Sequence, residues 1–393
     1  MILATGSATA SSVASPTCFA SFSLDLISKL FVALLLGWSG CTGLALELTP
    51  SDVPADDVGS PLDIVWTYNA RAGFGPDAVL LFDGHVLVST RQGEVHVIDA
   101  QTGKRAGVKR FGEAVNGRPV VLNNILVVPL AWGRRALAAF DMKQSKFLWR
   151  VRGAPIQTGL VAIGEDVITI NLDGQVQRYR GSSGQLVWES TIPVDRTAHA
   201  RPVLHEDLLL VADDGGGVTA LDSDGGMLVW QAQLFAPVYA TPVVDNGRLF
   251  VPTTRGRLYA LDLRSGSVLW EAALRDTTVR IAPPAAEASQ VIAGASDGRL
   301  RAWNATTGLL MWSIETPDAL VAKPLLTSRL VYFGSMGGVL YVARREDGHM
   351  IQEIELRGRI KSAIALESQG LIVLTEPRYV VKLGPKKPES ATL

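Results

Sequence analysis

Asp262-Leu-Arg-Ser-Gly266-Ser-Val-Leu-Trp270 decides the fold of this chain, because the sequence repeats it. Asp222…Gly226…Trp230 and Asn304…Gly308…Trp312 are close copies. Asp141…Ser145…Trp149 and Arg180…Gly184…Trp188 are weaker, and Asp99…Gly103…Gly107 and Arg344…Gly348…Gln352 are degenerate. The first positions fall at 99, 141, 180, 222, 262, 304 and 344, so successive steps are 39 to 42 residues. A period near 40 with strand-like residues between the marks is the signature of a propeller blade. The chemistry of the phrase assigns roles within it. Aspartate accepts hydrogen bonds from its own turn, glycine permits positive φ at the corner, and tryptophan lays a large apolar ring on the neighbouring blade.

Working outward from the phrase gives the unit. Thr241-Pro-Val-Val244 is a short apolar run ended by the turn Asp245-Asn-Gly247, and Leu249–Thr254 follows up to the turn Arg255-Gly-Arg257. Leu258–Leu261 and Val268–Leu274 complete it. Each run has strand length and is bounded by Gly, Asn or Asp turns, so the unit is a blade of four antiparallel strands, A to D. Seven units run from about Ala78 to Leu356, and an eighth starts near Lys361 but ends at Leu383 without a tryptophan strand. The strand Ile64-Val-Trp66-Thr-Tyr68 stands at the other end with no unit of its own. The sequence therefore predicts an all-β, eight-bladed propeller over residues 63–384, with the last blade closed by the Trp66 strand so that no edges are left open.

The composition fits a well-buried body: 47% of residues are hydrophobic, 19% are charged, and 37 basic residues face 38 acidic ones, which gives no mark of nucleic-acid binding. Cysteine occurs only as Cys18 and Cys41, both ahead of the repeats, so the ring has neither disulfide nor thiolate metal site. Lys29-Leu-Phe-Val-Ala-Leu-Leu-Leu36 is a cation followed by a short apolar core, which reads as a secretory signal and is too short for a membrane span. Two cleavage readings stand: lipidation at Cys41 after Gly40, or ordinary cleavage after Ala45. On the first, residues 1–41 are the signal ending in an acylated cysteine. Residues 42–62 are then a flexible tether spanning roughly 25 Å, and residues 385–393 a disordered tail.

The phrase Ala-x-Asp-x-x-[Thr/Ser]-Gly-x-x-x-Trp resembles the tryptophan-docking repeat of quinoprotein-like propellers. Together with the signal and the cysteine, it resembles the BamB family of outer-membrane assembly lipoproteins, and Ala240 to Trp270 carries the likeness best. The likeness covers nearly all of residues 64–383. It implies a non-catalytic scaffold, lipid-anchored at the periplasmic face of the outer membrane. Such a scaffold binds the central barrel-forming subunit of the assembly machinery and unfolded outer-membrane proteins. Fold alone does not settle activity, and two alternatives stand: another quinoprotein-like periplasmic scaffold, or a dehydrogenase resembling those that bind pyrroloquinoline quinone and Ca²⁺ in the ring centre. The chain lacks ring cysteines and a clustered oxygen set for a hard cation, and no catalytic residue, metal ligand or cofactor site is assigned. His96 alternates within a strand and reads as a packed or surface residue.

A propeller's turns sort onto two faces. On this reading the A–B and C–D corners carry acids such as Asp83, Asp99, Asp141, Asp222 and Asp262. The B–C turns and D-to-A crossovers carry Arg91, Arg196, Arg201, Arg257, Arg299, Lys323, Arg359 and Lys361. The expectation is a dipolar disc whose basic face meets an acidic partner. Partner-binding candidates on that face are Arg196, His199 and Arg201 in one crossover, Phe235 and Tyr239 in the next, and Trp132, Arg134 and Arg135 in a lengthened B–C turn. Trp132 is either exposed or folded onto the blade rim.

Overall fold

Alternation in the sequence becomes four-stranded sheets in the computed structural model, which describes Val58 and residues 60–192, 196–367 and 370–386. The signal, Cys41 and most of the tether lie outside the described residues, as do Pro193–Asp195 and the tail beyond Lys386. Among the described residues every regular element is a strand, and the strands form eight antiparallel sheets.

The fifth blade shows how a unit is built. Its strands are Val243–Asp245, Arg248–Pro252, Arg257–Asp262 and Val268–Ala273, paired in chain order. Asn246 and Gly247 both take positive φ, at 47° and 70°, which is the type I′ geometry that matches strand twist in a tight hairpin. Strands B and C are buried on both sides because neighbouring blades cover both faces of each sheet. The outer strand D alternates between exposed and half-buried residues. Leu210, Val218 and Trp230 of the fourth blade form one cluster with Leu249, Val251 and Tyr259 of the fifth, so the core is a series of blade-to-blade layers.

The repeated phrase acts across those layers. Asp262 Oδ1 accepts the N–H groups of Arg264 and Ser265, at 3.2 and 2.9 Å, and Asp99, Asp141, Asp222 and Asn304 bind their turns in the same way. Each phrase tryptophan donates its indole N–H to a backbone carbonyl at the corner of the following blade. Trp66 reaches Ala100, Trp149 Gly181, Trp188 Ser223, Trp230 Leu263, Trp270 Ala305 and Trp312 Arg345, at 2.9–3.2 Å. The ring lies over the corner glycine of that following blade, as Trp230 lies over Gly266. A Cβ on Gly266 would sit 2.4 Å from Trp230 Cε3, and the residue has φ 71°. Glycine is therefore required there twice, by conformation and by space. The exception supports the coupling. The first blade has Gly107 where a tryptophan would stand, and the corner it faces carries Ser145, at φ 54°.

The eighth sheet has five strands and draws on both ends of the described chain. Leu62–Asn69 pairs antiparallel with Tyr379–Pro385, Trp66 opposite Lys382. Leu62 and Pro385, read from sequence as tether and tail, are opposite each other in this ladder, so both boundaries move outward by one residue. An additional two-residue strand, Arg359–Ile360, pairs with Gly370–Glu376. Gln352 occupies the tryptophan position of the seventh blade. It holds Leu62 by two hydrogen bonds, accepting the N–H at 2.8 Å and donating to the C=O at 2.9 Å.

Candidate functional site

The inner strands converge on the ring axis, and the D-to-A crossovers deliver one or more residues of every blade to a common mouth. Its walls run from Asp77 in the first blade to Lys361 in the eighth and enclose about 120 Å³. A second cavity of about 340 Å³ lies between the inner strands of the first four blades, and Arg201 lines both. Arg201 Nη1 reaches across the ring to Asp77 Oδ2 at 3.3 Å. Gly159 makes room for that pair, because a Cβ there would meet Arg201 Cδ at 2.7 Å. Arg118 and Lys323 complete the charged group. Burial is the largest influence on both and pushes them below their ordinary ranges; Asp77 acts against it, and Arg201 adds repulsion.

Of the residues singled out from sequence, His199, Arg201 and Tyr239 meet at this mouth. His199 and Tyr239 pack edge to face, 4.8 Å between centroids. Arg196 does not point into open solvent. Its Nη1 donates to Asp213 Oδ1 at 3.1 Å, and Asp213 is buried. Asp214 accepts the Thr197 N–H at 3.0 Å, so two B–C turn acids tie this crossover down. Phe235 stands outside the mouth and is 82% exposed, against 47% for Tyr239. Trp132 is 60% exposed, which resolves the two sequence readings in favour of the open one, and Arg134 and Arg135 beside it are exposed. None of these three lines the axis cavity.

The dipolar disc is neutralised only in part. Glu376 gathers Arg91, Arg359 and Lys361, at 3.7, 3.7 and 2.9 Å, Asp213 takes Arg196, Asp77 takes Arg201, Glu315 takes Arg299, and Glu271 takes Arg257. The B–C turns need carboxylate acceptors just as the corners do: Asp213 accepts the N–H groups of Gly215 and Gly217, and Asp297 that of Arg299. The face counted as basic is thus compensated in part: Arg134, Arg135, Arg255, Arg275, Arg280 and Arg357 on it stay exposed, and a further basic group gathers on the axis.

Two features escaped the sequence reading. Arg118, Arg201, Thr241 and Lys323 each precede the proline that starts an inner strand, 40 to 42 residues apart or a multiple of that, and Asp77 and Gly159 hold equivalent places. Repeat register was the available signal, since equivalent positions of a ring meet on its axis. The second is a contact at the last sheet. His96 is buried and hydrogen-bonded on both ring nitrogens, to Tyr68 Oη at 2.8 Å and Glu94 Oε2 at 3.2 Å. The carboxylate only accepts, so Nε2 donates to it and Nδ1 accepts from the tyrosine hydroxyl.

Ring, repeat and docking tryptophans define the class of quinoprotein-like eight-bladed β-propellers. Within that class the chain belongs to the BamB family: the family model described as outer membrane protein assembly factor BamB matches residues 63–209 and 172–325. A relative of that name from Burkholderia pseudomallei is 26% identical over 356 residues, 85% of this chain and 91% of the relative. The crystal structure of BamB from Moraxella catarrhalis superposes with a TM-score of 0.71 at 19% identity, covering 82% of this chain and 100% of that one, which speaks to fold. A quinohemoprotein alcohol dehydrogenase from Comamonas testosteroni is also similar, 28% identical over 198 residues, 41% of this chain and 27% of the enzyme. The ring centre does not fit a quinone-associated Ca²⁺. That ion needs six or more oxygen ligands, and the charged group here is three cations with one carboxylate already engaged by Arg201.

Proposed function

We propose that this chain is a non-catalytic lipoprotein scaffold of the outer-membrane β-barrel assembly machinery. It is held at the periplasmic face of the outer membrane by acylated Cys41, through the tether 42–62. The crossover face binds the central barrel-forming subunit. The observation that carries this reading is the exposure of Phe235, Tyr239 and Trp132 in the crossovers and B–C turns of one face. Exposed aromatics of this kind dominate protein interfaces. Arg134 and Arg135 supply charge at the rim, while Arg196, His199 and Arg201 shape the crossover from within.

The outer strands suit the second half of the role, the handling of unfolded outer-membrane proteins. Leu186–Val187, Met227–Val229, Val268–Leu269 and Leu309–Met311 form exposed apolar runs on four successive blades. Each belongs to, or directly precedes, a strand at the outer edge of its sheet, and an extended client strand adds to such an edge through its backbone.

Mild-detergent affinity purification of the full-length protein from its own membranes, with mass spectrometry of copurifying chains, tests the proposal. Recovery of the barrel-forming subunit supports it. A clean preparation without that subunit at low salt removes it.

A further inference from the structure

The axis carries charge that the assembly role leaves unused. Arg118 and Lys323 make no hydrogen bond or ion pair among the described residues, and Arg201 Nε is buried without an acceptor. Asp77 is the sole carboxylate among the influences on Arg118 and Lys323, and Arg201 repels both; the Arg118 side chain also lies beside Arg201 and Asp77 at Gly159. Three positive charges less one leave the cluster with a net charge of +2. Lys361, also at the mouth, pairs with Glu376 at 2.9 Å. Holding uncompensated cations in a narrow, walled channel is unfavourable unless an anion joins them. The mouth beside Arg201 and Lys323 encloses about 120 Å³ and opens to solvent on the crossover face, and Arg201 joins it to the second cavity, which Arg118 lines; this gives such an anion space and a route.

Guanidinium groups present planar forks that match the oxygens of phosphate, and an ammonium adds a freely rotating point charge. We propose that Arg118, Arg201 and Lys323 form a binding site for a compact dianion of phosphate type, either inorganic phosphate or the terminal phosphate group of a small ligand entering through the mouth. Asp77 is a positioning residue in this arrangement. It fixes one end of the Arg201 guanidinium, while Gly159 keeps the crossing open. The inference does not rest on the assembly role, and its test uses the purified protein without any partner.

The test is titration calorimetry of the full chain in mild detergent with inorganic phosphate, at neutral pH and ionic strength held constant with chloride. The expected result is saturable binding of one phosphate per chain, weakened by about tenfold or more in Arg118→Gln and in Lys323→Gln, the loss of one charge-assisted hydrogen bond. A phosphomonoester run in parallel distinguishes the sources: tighter binding of the ester marks a ligand's terminal group, and tighter binding of inorganic phosphate marks the free ion. Melting curves guard against misfolding. In phosphate-free buffer both variants melt no lower than the parent, because each loses an unpaired charge, and phosphate raises the melting temperature of the parent more than theirs. Absence of saturation at millimolar phosphate overturns the proposal. So does binding that both folded variants retain unchanged.

Discussion

The coupling of Trp230 to Gly266 yields the sharpest prediction. In Gly266→Ala the new Cβ is placed 2.4 Å from Trp230 Cε3 and under 3 Å from Cδ2 and Cζ3, at a residue with φ 71°. Left-handed backbone at alanine costs of order 1 kcal/mol. The indole cannot stay where it is. Moving it gives up its bond to the Leu263 carbonyl, about 1 kcal/mol, and part of its packing, roughly another 1–2 kcal/mol when set against the 3–5 kcal/mol cost of deleting a buried tryptophan. The variant should therefore lose about 3–4 kcal/mol. In a Trp230→Ala background the clash is gone and the same substitution should cost only the backbone strain. A double-mutant cycle by urea denaturation of the full chain should then return a coupling of about 2–3 kcal/mol, within the range for residues in contact. Ser145 is the internal control. It faces Gly107 instead of an indole, so Ser145→Ala should change stability by no more than about 0.5 kcal/mol. A coupling under about 0.5 kcal/mol between Trp230 and Gly266 would refute the argument that the glycine exists for the neighbour's tryptophan.

Three further expectations follow from the geometry. Burial holds His96 below its ordinary range against the opposing pull of Glu94. The unfolded chain therefore binds a proton that the folded chain resists, and stability should be level above about pH 6.5 and fall as pH drops below it. His96→Gln, which keeps a polar group between Tyr68 and Glu94, should flatten that fall in denaturation curves taken between neutral and mildly acidic pH; an unchanged slope contradicts the assignment. Phe235→Ala and Tyr239→Ala should each weaken capture of the barrel-forming subunit about tenfold or more without lowering the melting temperature, whereas charge reversal at Arg196 should destabilise the ring, because it sets a carboxylate against buried Asp213. Pyrroloquinoline quinone with Ca²⁺ should leave the melting temperature unchanged; a saturable rise would reinstate the enzyme reading.

The fold was legible because blades four to six write the same requirements into the same places, an acceptor at the turn, a glycine at the corner and an indole eight residues after the acceptor, and most other blades keep part of the set. Less visible was which partner each requirement served. The glycine reads locally as a turn residue, but half of its reason lies in the preceding repeat, at a tryptophan 36 residues back. His199, Arg201 and Tyr239 were found together because they sit in consecutive crossovers. Arg118 and Asp77 were missed because charges were sorted by face and not by register around the ring. Nothing in the sequence around Arg196 marks its partner, because Asp213 reaches it from a turn seventeen residues on, and such pairings follow from the path of the backbone, not from residue type.

The axis positions have a consequence of their own. Eight repeats each send a residue of the same rank to one narrow passage, while blade-to-blade adhesion is handled elsewhere, by the indoles and corners. The charge of the passage is therefore a sum over sites that carry little of the architectural duty. A substitution at Thr241 or Lys323 rewrites that sum by one unit and leaves every docking tryptophan in place. Such a ring can be given a new interior chemistry one residue at a time, with each intermediate still a folded ring.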